Sequence, residues 1–153
     1  MMATRREMLK RSTQLAGLLA AAAVLMPTAH ATWNKAAFDA KALADAAKAL
    51  GGAAPSESAD VTITGPDIAE NGAVVPVGVA TSLSGVKQLM ILVEKNPNVL
   101  AAIFDVNEAI EPTFNTRVKM GQSSNVYAVA LMHDGRTLYA VKEIKVTLGG
   151  CGG

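Results

Sequence analysis

Seven short runs rich in β-branched residues, each closed by turn chemistry, constrain the fold of this 153-residue chain more than any other feature. The runs cover residues 61–64, 73–81, 87–94, 99–106, 113–120, 125–132 and 136–148. Between them stand Gly65-Pro66, Asn71-Gly72, Ser84-Gly85, Asn96-Pro97-Asn98, Pro112, Gly121 and Asp134-Gly135. Strands of this length and spacing with Asn-Gly and Asp-Gly turns predict a mainly β, immunoglobulin-like antiparallel β-sandwich of about seven strands. Alternation of apolar residues in Leu89/Ile91/Val93, Val126/Ala128/Ala130 and Ile144/Val146/Leu148 marks the faces turned to the core. A sandwich stapled by an internal disulfide is excluded, because Cys151 is the sole cysteine.

Ahead of the strands, residues 33–50 are alanine-rich, and Ala36, Ala40, Leu43, Ala47 and Leu50 recur at helical spacing. The pattern predicts a single amphipathic helix capped by Thr32 and stopped at Gly51-Gly52, with Pro55 beyond. An alanine-lined face suits close packing, either on this protein's own body or on a partner subunit. Gly51 to Ser58 reads as a linker. Met90, Met120 and Met132 could suggest a soft-metal set. They lie on separate strands with no histidine cluster, so methionine's use as a filler of irregular core gaps is the better reading.

The two ends of the chain carry the functional signals. At the N-terminus, Thr4-Arg5-Arg6-Glu7-Met8-Leu9-Lys10 precedes an apolar run from Leu15 to Met26 and the small-x-small sequence Ala29-His30-Ala31. Basic start, apolar centre and cleavage pattern make a secretory signal, and the paired arginines specify the twin-arginine route. A run of about 12 residues is too short to span a bilayer, which takes roughly 20. Cleavage after Ala31 removes four of the 14 basic residues and one of the 13 acidic ones, leaving 10 against 12. The mature chain is then mildly acidic and has no basic patch interleaved with aromatics, which argues against nucleic acid as a partner. No CxxC, HExxH, GxGxxG or P-loop motif is present, and His133 is the sole histidine left after cleavage. No cofactor or metal is therefore expected. Because the twin-arginine route exports folded proteins, export of a preassembled heteromer is the expectation that remains.

At the other end, Cys151 is flanked by Gly149, Gly150, Gly152 and Gly153. Glycine lacks a Cβ and enters φ > 0 freely, so these residues predict a narrow arm able to thread where bulkier peptide cannot. Extended, residues 149–153 reach on the order of 15–18 Å. A lone cysteine in an exported protein either pairs between chains or is a reactive thiol. With an ordinary thiol pKa near 8.5, only a few per cent of Cys151 is ionised at neutral pH, and the terminal carboxylate of Gly153 raises that value if anything. Lys142 and Lys145 are the nearest cations in sequence. The pattern describes an unactivated sulfur presented to enzymes that supply the activation themselves. The chain accordingly divides into a signal at 1–31, helix and linker at 32–58, a sandwich at 59–148 and an arm at 149–153.

Three segments carry a family resemblance: Asp67-Ile68-Ala69-Glu70-Asn71-Gly72-Ala73-Val74-Val75-Pro76-Val77, Thr116-Arg117-Val118-Lys119-Met120-Gly121-Gln122, and Val146-Thr147-Leu148-Gly149-Gly150-Cys151-Gly152-Gly153. Together they resemble the SoxY family, the sulfur-carrier subunits of the periplasmic thiosulfate-oxidising Sox system. The resemblance implies a substrate carrier rather than an enzyme, exported to the periplasm as a heterodimer with SoxZ. It implies that Cys151 is joined to thiosulfate by the haem protein SoxXA, that SoxB then releases sulfate, and that SoxCD, where present, oxidises the remaining sulfane sulfur. The carrier itself holds no metal or haem in that scheme. Within the first segment, Pro76 suggests an edge strand that a partner could cover. Arg117 and Lys119 alternate on one strand face, with solvated charge as the default reading and contact with an anionic sulfur adduct as the other.

Two other classes compete with the carrier. A ubiquitin-like protein activated at Gly152-Gly153 would need cytoplasmic adenylation, against the export signal, and its fold is too small for seven strands. An immunoglobulin-like binding module whose cysteine forms an intermolecular disulfide fits the fold equally well.

Overall fold

The computed structural model describes Glu7 and residues 34–147. The chain separates into two units, Met1–Trp33 and Asn34–Gly153, and the described strands and paired helices belong to the second. Thr32, the expected helix cap, lies outside the described residues, as do the signal segment save Glu7 and the whole of 148–153.

The alanine-rich segment forms two helices instead of one: α1, Lys35–Phe38, and α2, Leu43–Ala49. Between them Ala42 is extended, at φ −140° and ψ 158°. An alanine-rich helix of this length is marginal in water, so tertiary bonds decide its course. Here Ala40 O accepts from Val99 N at 3.3 Å. Lys41 Nζ donates to Pro97 O and to Asn98 Oδ1, the latter at 2.7 Å. These bonds pull residues 40–41 onto the 97–99 turn and break the helix. The burial stripe shifts as a result. Ala36 is exposed, whereas Ala37, Ala40, Ala46 and Ala47 are buried. Asn34 caps α1 through Oδ1, accepting from Ala37 N at 3.1 Å, and its Nδ2 donates to Ala49 O at 2.9 Å. One side chain thus joins the start of α1 to the end of α2.

Among the described residues nine strands follow: β1 Ser56–Glu57, β2 Val61–Thr64, β3 Ile68–Ala69, β4 Val75–Thr81, β5 Val86–Val93, β6 Leu100–Asp105, β7 Thr113–Val118, β8 Ser124–Met132 and β9 Thr137–Val146. All seven expected strands are present. The additions are β1 and β3, two residues each, and both pair parallel with β9. The segment read as a linker therefore contributes a strand, and the sandwich is antiparallel apart from these two pairings. One sheet runs β1-β9-β8-β5-β6 with β3 also on β9, and the other runs β2-β4-β7. Gly135, at φ 88°, supplies the left-handed residue that turns β8 into β9.

The two sheets enclose a core that includes Leu89, Ile91, Val77, Val79, Ala128 and Ile144. The outer face of the larger sheet is also covered. Met90, Leu92, Val129 and Leu131 pack with Ala37, Ala40 and Ala46 in a second cluster beneath the helices. The helices therefore pack on this protein's own body, and β5 and β8 are buried on both faces. Met90 lies in this second cluster, while Met120 and Met132 lie in the first. The three methionines are core residues and do not converge. On the open flank Phe104 of β6 stacks on Phe114 of β7 with centroids 4.5 Å apart, closing the side of the sandwich.

Candidate functional site: the root of the C-terminal arm

Cys151 and the glycines Gly149, Gly150, Gly152 and Gly153 lie outside the described residues. The described part of the site is the point from which that segment departs, the end of β9. Its last amides are bonded on alternate sides. Lys145 N donates to Asp67 O at 3.0 Å and Thr147 N to Ala69 O at 3.1 Å on one edge. On the other edge Val146 N donates to the Ser123 hydroxyl at 2.9 Å. Alternation is what a strand requires, since successive N–H groups face opposite neighbours. Beyond Ser124 on β8 there is no main-chain ladder partner in the register, and the Ser123 side chain takes over that role.

The loop that carries β3 is itself held down. Asn71 Oδ1 accepts from Ala73 N at 2.9 Å, closing a tight side-chain turn. Gly72 O accepts from Met120 N at 2.7 Å. A Cβ on Gly72 would stand 2.4 Å from Met120 O and 2.8 Å from Val146 Cγ1, so only glycine allows this approach. The described parts of the three segments that the sequence singles out, 67–77, 116–122 and 146–147, are thus brought together through Gly72, Met120 and Val146.

Of the two lysines nearest the thiol in sequence, Lys142 is engaged elsewhere. Its Nζ lies 2.7 Å from Asp67 Oδ1. The Lys142 ammonium, by hydrogen bond and then by charge, holds the Asp67 carboxyl below the usual carboxylate range. Lys145 is exposed on the opposite face of β9. Arg117 and Lys119 are exposed as well, in keeping with solvated charge. Pro76 lies in β4, the middle strand of its sheet, which corrects the edge expectation. The pairing of β2 with β4 stops at Gly78, however, so at Pro76 the strand is paired on the β7 side alone and the missing N–H leaves no gap on the β2 side.

Sequence pattern assigns no functional role to Ser123, and to Gly72 only a place in a turn. Ser123 follows directly on one of the singled-out segments and Gly72 lies inside another, which is the signal that could have found them. Among the described residues no group of three or more His, Cys, Asp or Glu side chains is placed to hold a metal ion. Among them, too, no helix is long and apolar enough to cross a membrane.

A model of the SoxY family, described as sulfur oxidation protein SoxY, matches residues 46–151. Among solved structures, the sulfur carrier protein SoxY from Chlorobium limicola f thiosulfatophilum is similar at 38% identity and a TM-score of 0.56, over 61% of this chain and 84% of that one. Superoxide reductase (neelaredoxin) from Ignicoccus hospitalis is similar at 19% identity and a TM-score of 0.51, over 57% of this chain and 80% of that one. A putative superoxide reductase from Thermotoga maritima gives 15% and 0.50, over 57% and 85%. The two reductases share the fold alone. No curated protein sequence matches.

Proposed function

The chain belongs to the SoxY family of sulfur oxidation proteins, and from that membership we propose that it is a covalent carrier of sulfur intermediates with Cys151 as the attachment site. The observation that carries this reading is where the family match ends: at residue 151, on the sole cysteine, beyond the last strand of the sandwich. The solved SoxY of Chlorobium is named a sulfur carrier protein, and the same role is proposed here.

The Cys151 thiolate and thiosulfate join through a new S–S bond, giving a cysteine S-thiosulfonate and releasing two electrons to a haem partner, SoxXA. Water then attacks the terminal sulfonate on SoxB, releasing sulfate and two protons and leaving the persulfide on Cys151. Where SoxCD is present, that sulfane sulfur gives up six electrons to it and takes three oxygens from water, with release of six protons, leaving a cysteine S-sulfonate. In this reading the protein contributes the thiol and its presentation while its partners contribute catalysis. Gly149, Gly150, Gly152 and Gly153 serve as the narrow arm that admits the thiol to each partner's cleft. Export through the twin-arginine route to the periplasm, bound to SoxZ, completes the proposal.

Cys151→Ser tests it. Thiosulfate-dependent turnover should fall to background while folding and heterodimer formation persist, and unchanged turnover would refute the carrier. Intact-mass measurement on protein from cells fed thiosulfate should reveal sulfur-containing adducts removed by a thiol reductant. A disulfide-linked dimer mass alone would instead favour the binding module with an intermolecular disulfide.

A further inference from the structure

We infer that the small cavity left by the break between α1 and α2 is an anchor pocket for an arginine side chain of a partner protein. The inference goes beyond the carrier reading and stands independently of it. Where residues 40–41 are pulled onto the 97–99 turn, Ala42 is extended and contributes only a methyl group, so the space between it and Leu92 and Val99 stays unfilled. The cavity measures about 110 Å³. Sites for small molecules run to roughly 300–1,000 Å³, whereas this one suits a single side chain. Leu43 forms its wall on the helix side and Tyr127 on the sheet side, and the exposed Glu94 also lines it.

The polar groups around the cavity favour a flat cation on an apolar stem. Asn125 Nδ2 donates to Glu94 Oε2 at 2.9 Å, which holds the carboxylate in place and leaves Oε1 to accept a further bond. Tyr127 is close enough to feel that charge: burial first, then Glu94 and Tyr139, raise its phenol above the ordinary value. A guanidinium meets all of these groups at once. Its fork of N–H groups matches a carboxylate, its plane stacks on an aromatic ring and its methylenes cover apolar wall. The same sheet face carries Glu143, across from Asn125, and Glu57, beside Tyr139. Against these three carboxylates stand Lys145, two residues beyond Glu143, and Lys41, whose ammonium is bound to Pro97 O and Asn98 Oδ1. Outside the cavity, the face that the helices leave uncovered continues from Tyr127 to Tyr139, in edge contact at 5.6 Å between centroids, and to Val141, which is 39% exposed. That apolar strip with its acidic border gives a basic protein surface, rather than a free metabolite, somewhere to rest.

Methyl NMR of the chain tests the pocket, with N-acetyl-arginine N-methylamide as the probe. Millimolar probe should shift the methyl resonances of Leu43, Leu92 and Val99. Glu94→Gln still accepts from Asn125 but loses the charge, and should weaken binding about tenfold. Ala42→Leu fills the cavity without touching any charge and should abolish the shifts. Both positions are exposed, so the rest of the spectrum should be unchanged, and if one variant fails to fold the other still decides. The corresponding capped leucine and capped aspartate should bind about tenfold more weakly than the capped arginine. Equal binding of either would overturn the choice of arginine. Free arginine should bind no more tightly than the capped form, and a clear preference for the free amino acid would mean a metabolite site and overturn the docking surface. Absence of any shift with the capped arginine, or wild-type binding in Glu94→Gln or Ala42→Leu, would overturn the inference as a whole. Turnover of Cys151→Ser bears on the carrier reading alone, so the two failures are distinguishable.

Discussion

Lys142 stands in phase with Ile144 and Ala140 on the face of β9 turned to the sandwich interior, opposite Val126. Its stem is covered while its amine emerges to meet Asp67, whose side chain is 89% exposed. The pair tethers the loop that brackets the end of β9, so its titration is a local matter. Asp67 has a depressed pKa in the folded state, so its contribution is present above the unfolded carboxylate value and is lost as pH falls through the lower folded one. Lys142→Met should therefore raise the Asp67 midpoint toward the ordinary carboxylate range, read by the carboxyl chemical shift against pH. The variant's looser Thr147 amide should differ from wild type at neutral pH and match it in strong acid. An Asp67 midpoint unmoved by the substitution would contradict the pairing. At this scale the sequence is legible where burial follows alternation, as in Leu89, Ile91 and Val93. It does not show the Ser123–Val146 bond or the Asp67–Lys142 pair, because those contacts cross 23 and 75 positions of chain and leave no periodic trace.

Helices α1 and α2 and strands β1 and β3 are the elements that sequence pattern describes least well. Eighteen alanine-rich positions satisfy a helical period throughout, yet the Lys41 and Ala40 bonds to the 97–99 turn favour a break. Helix propensity is worth tenths of a kcal/mol per residue, and a few good tertiary bonds exceed it. Since Asn34 both caps α1 and reaches the last carbonyl of α2, Asn34→Ala should destabilise the helical pair by about 1 kcal/mol. Amide exchange at Ala37 reads this locally, and unchanged protection would argue against the cap. Strands of two residues carry no detectable alternation. What makes β1 and β3 strands is the exposed edge of β9, a long neighbour that a pass along the chain cannot place beside them.

Three layers build the whole described unit: helices, the larger sheet and the smaller sheet, with one core on each side of the larger sheet. Leu89 and Met90 are adjacent on β5, face opposite cores and are both essentially fully buried. Leu89→Ala and Met90→Ala should each cost about 2–5 kcal/mol in denaturant unfolding of the isolated chain. A Met90 variant of nearly wild-type stability would mean that the helices do not cover that face. From the sequence alone came the number and order of the main strands, the turns between them and the setting of Cys151 among glycines. All of these follow from local rules, the two-residue period of a strand and the φ that a turn demands. Only the tertiary structure decided the helix break, the second core and the bracket on the end of β9. Each of those depends on contacts between segments far apart in the chain, whose energies outweigh local preference only once the sheets have brought the segments together.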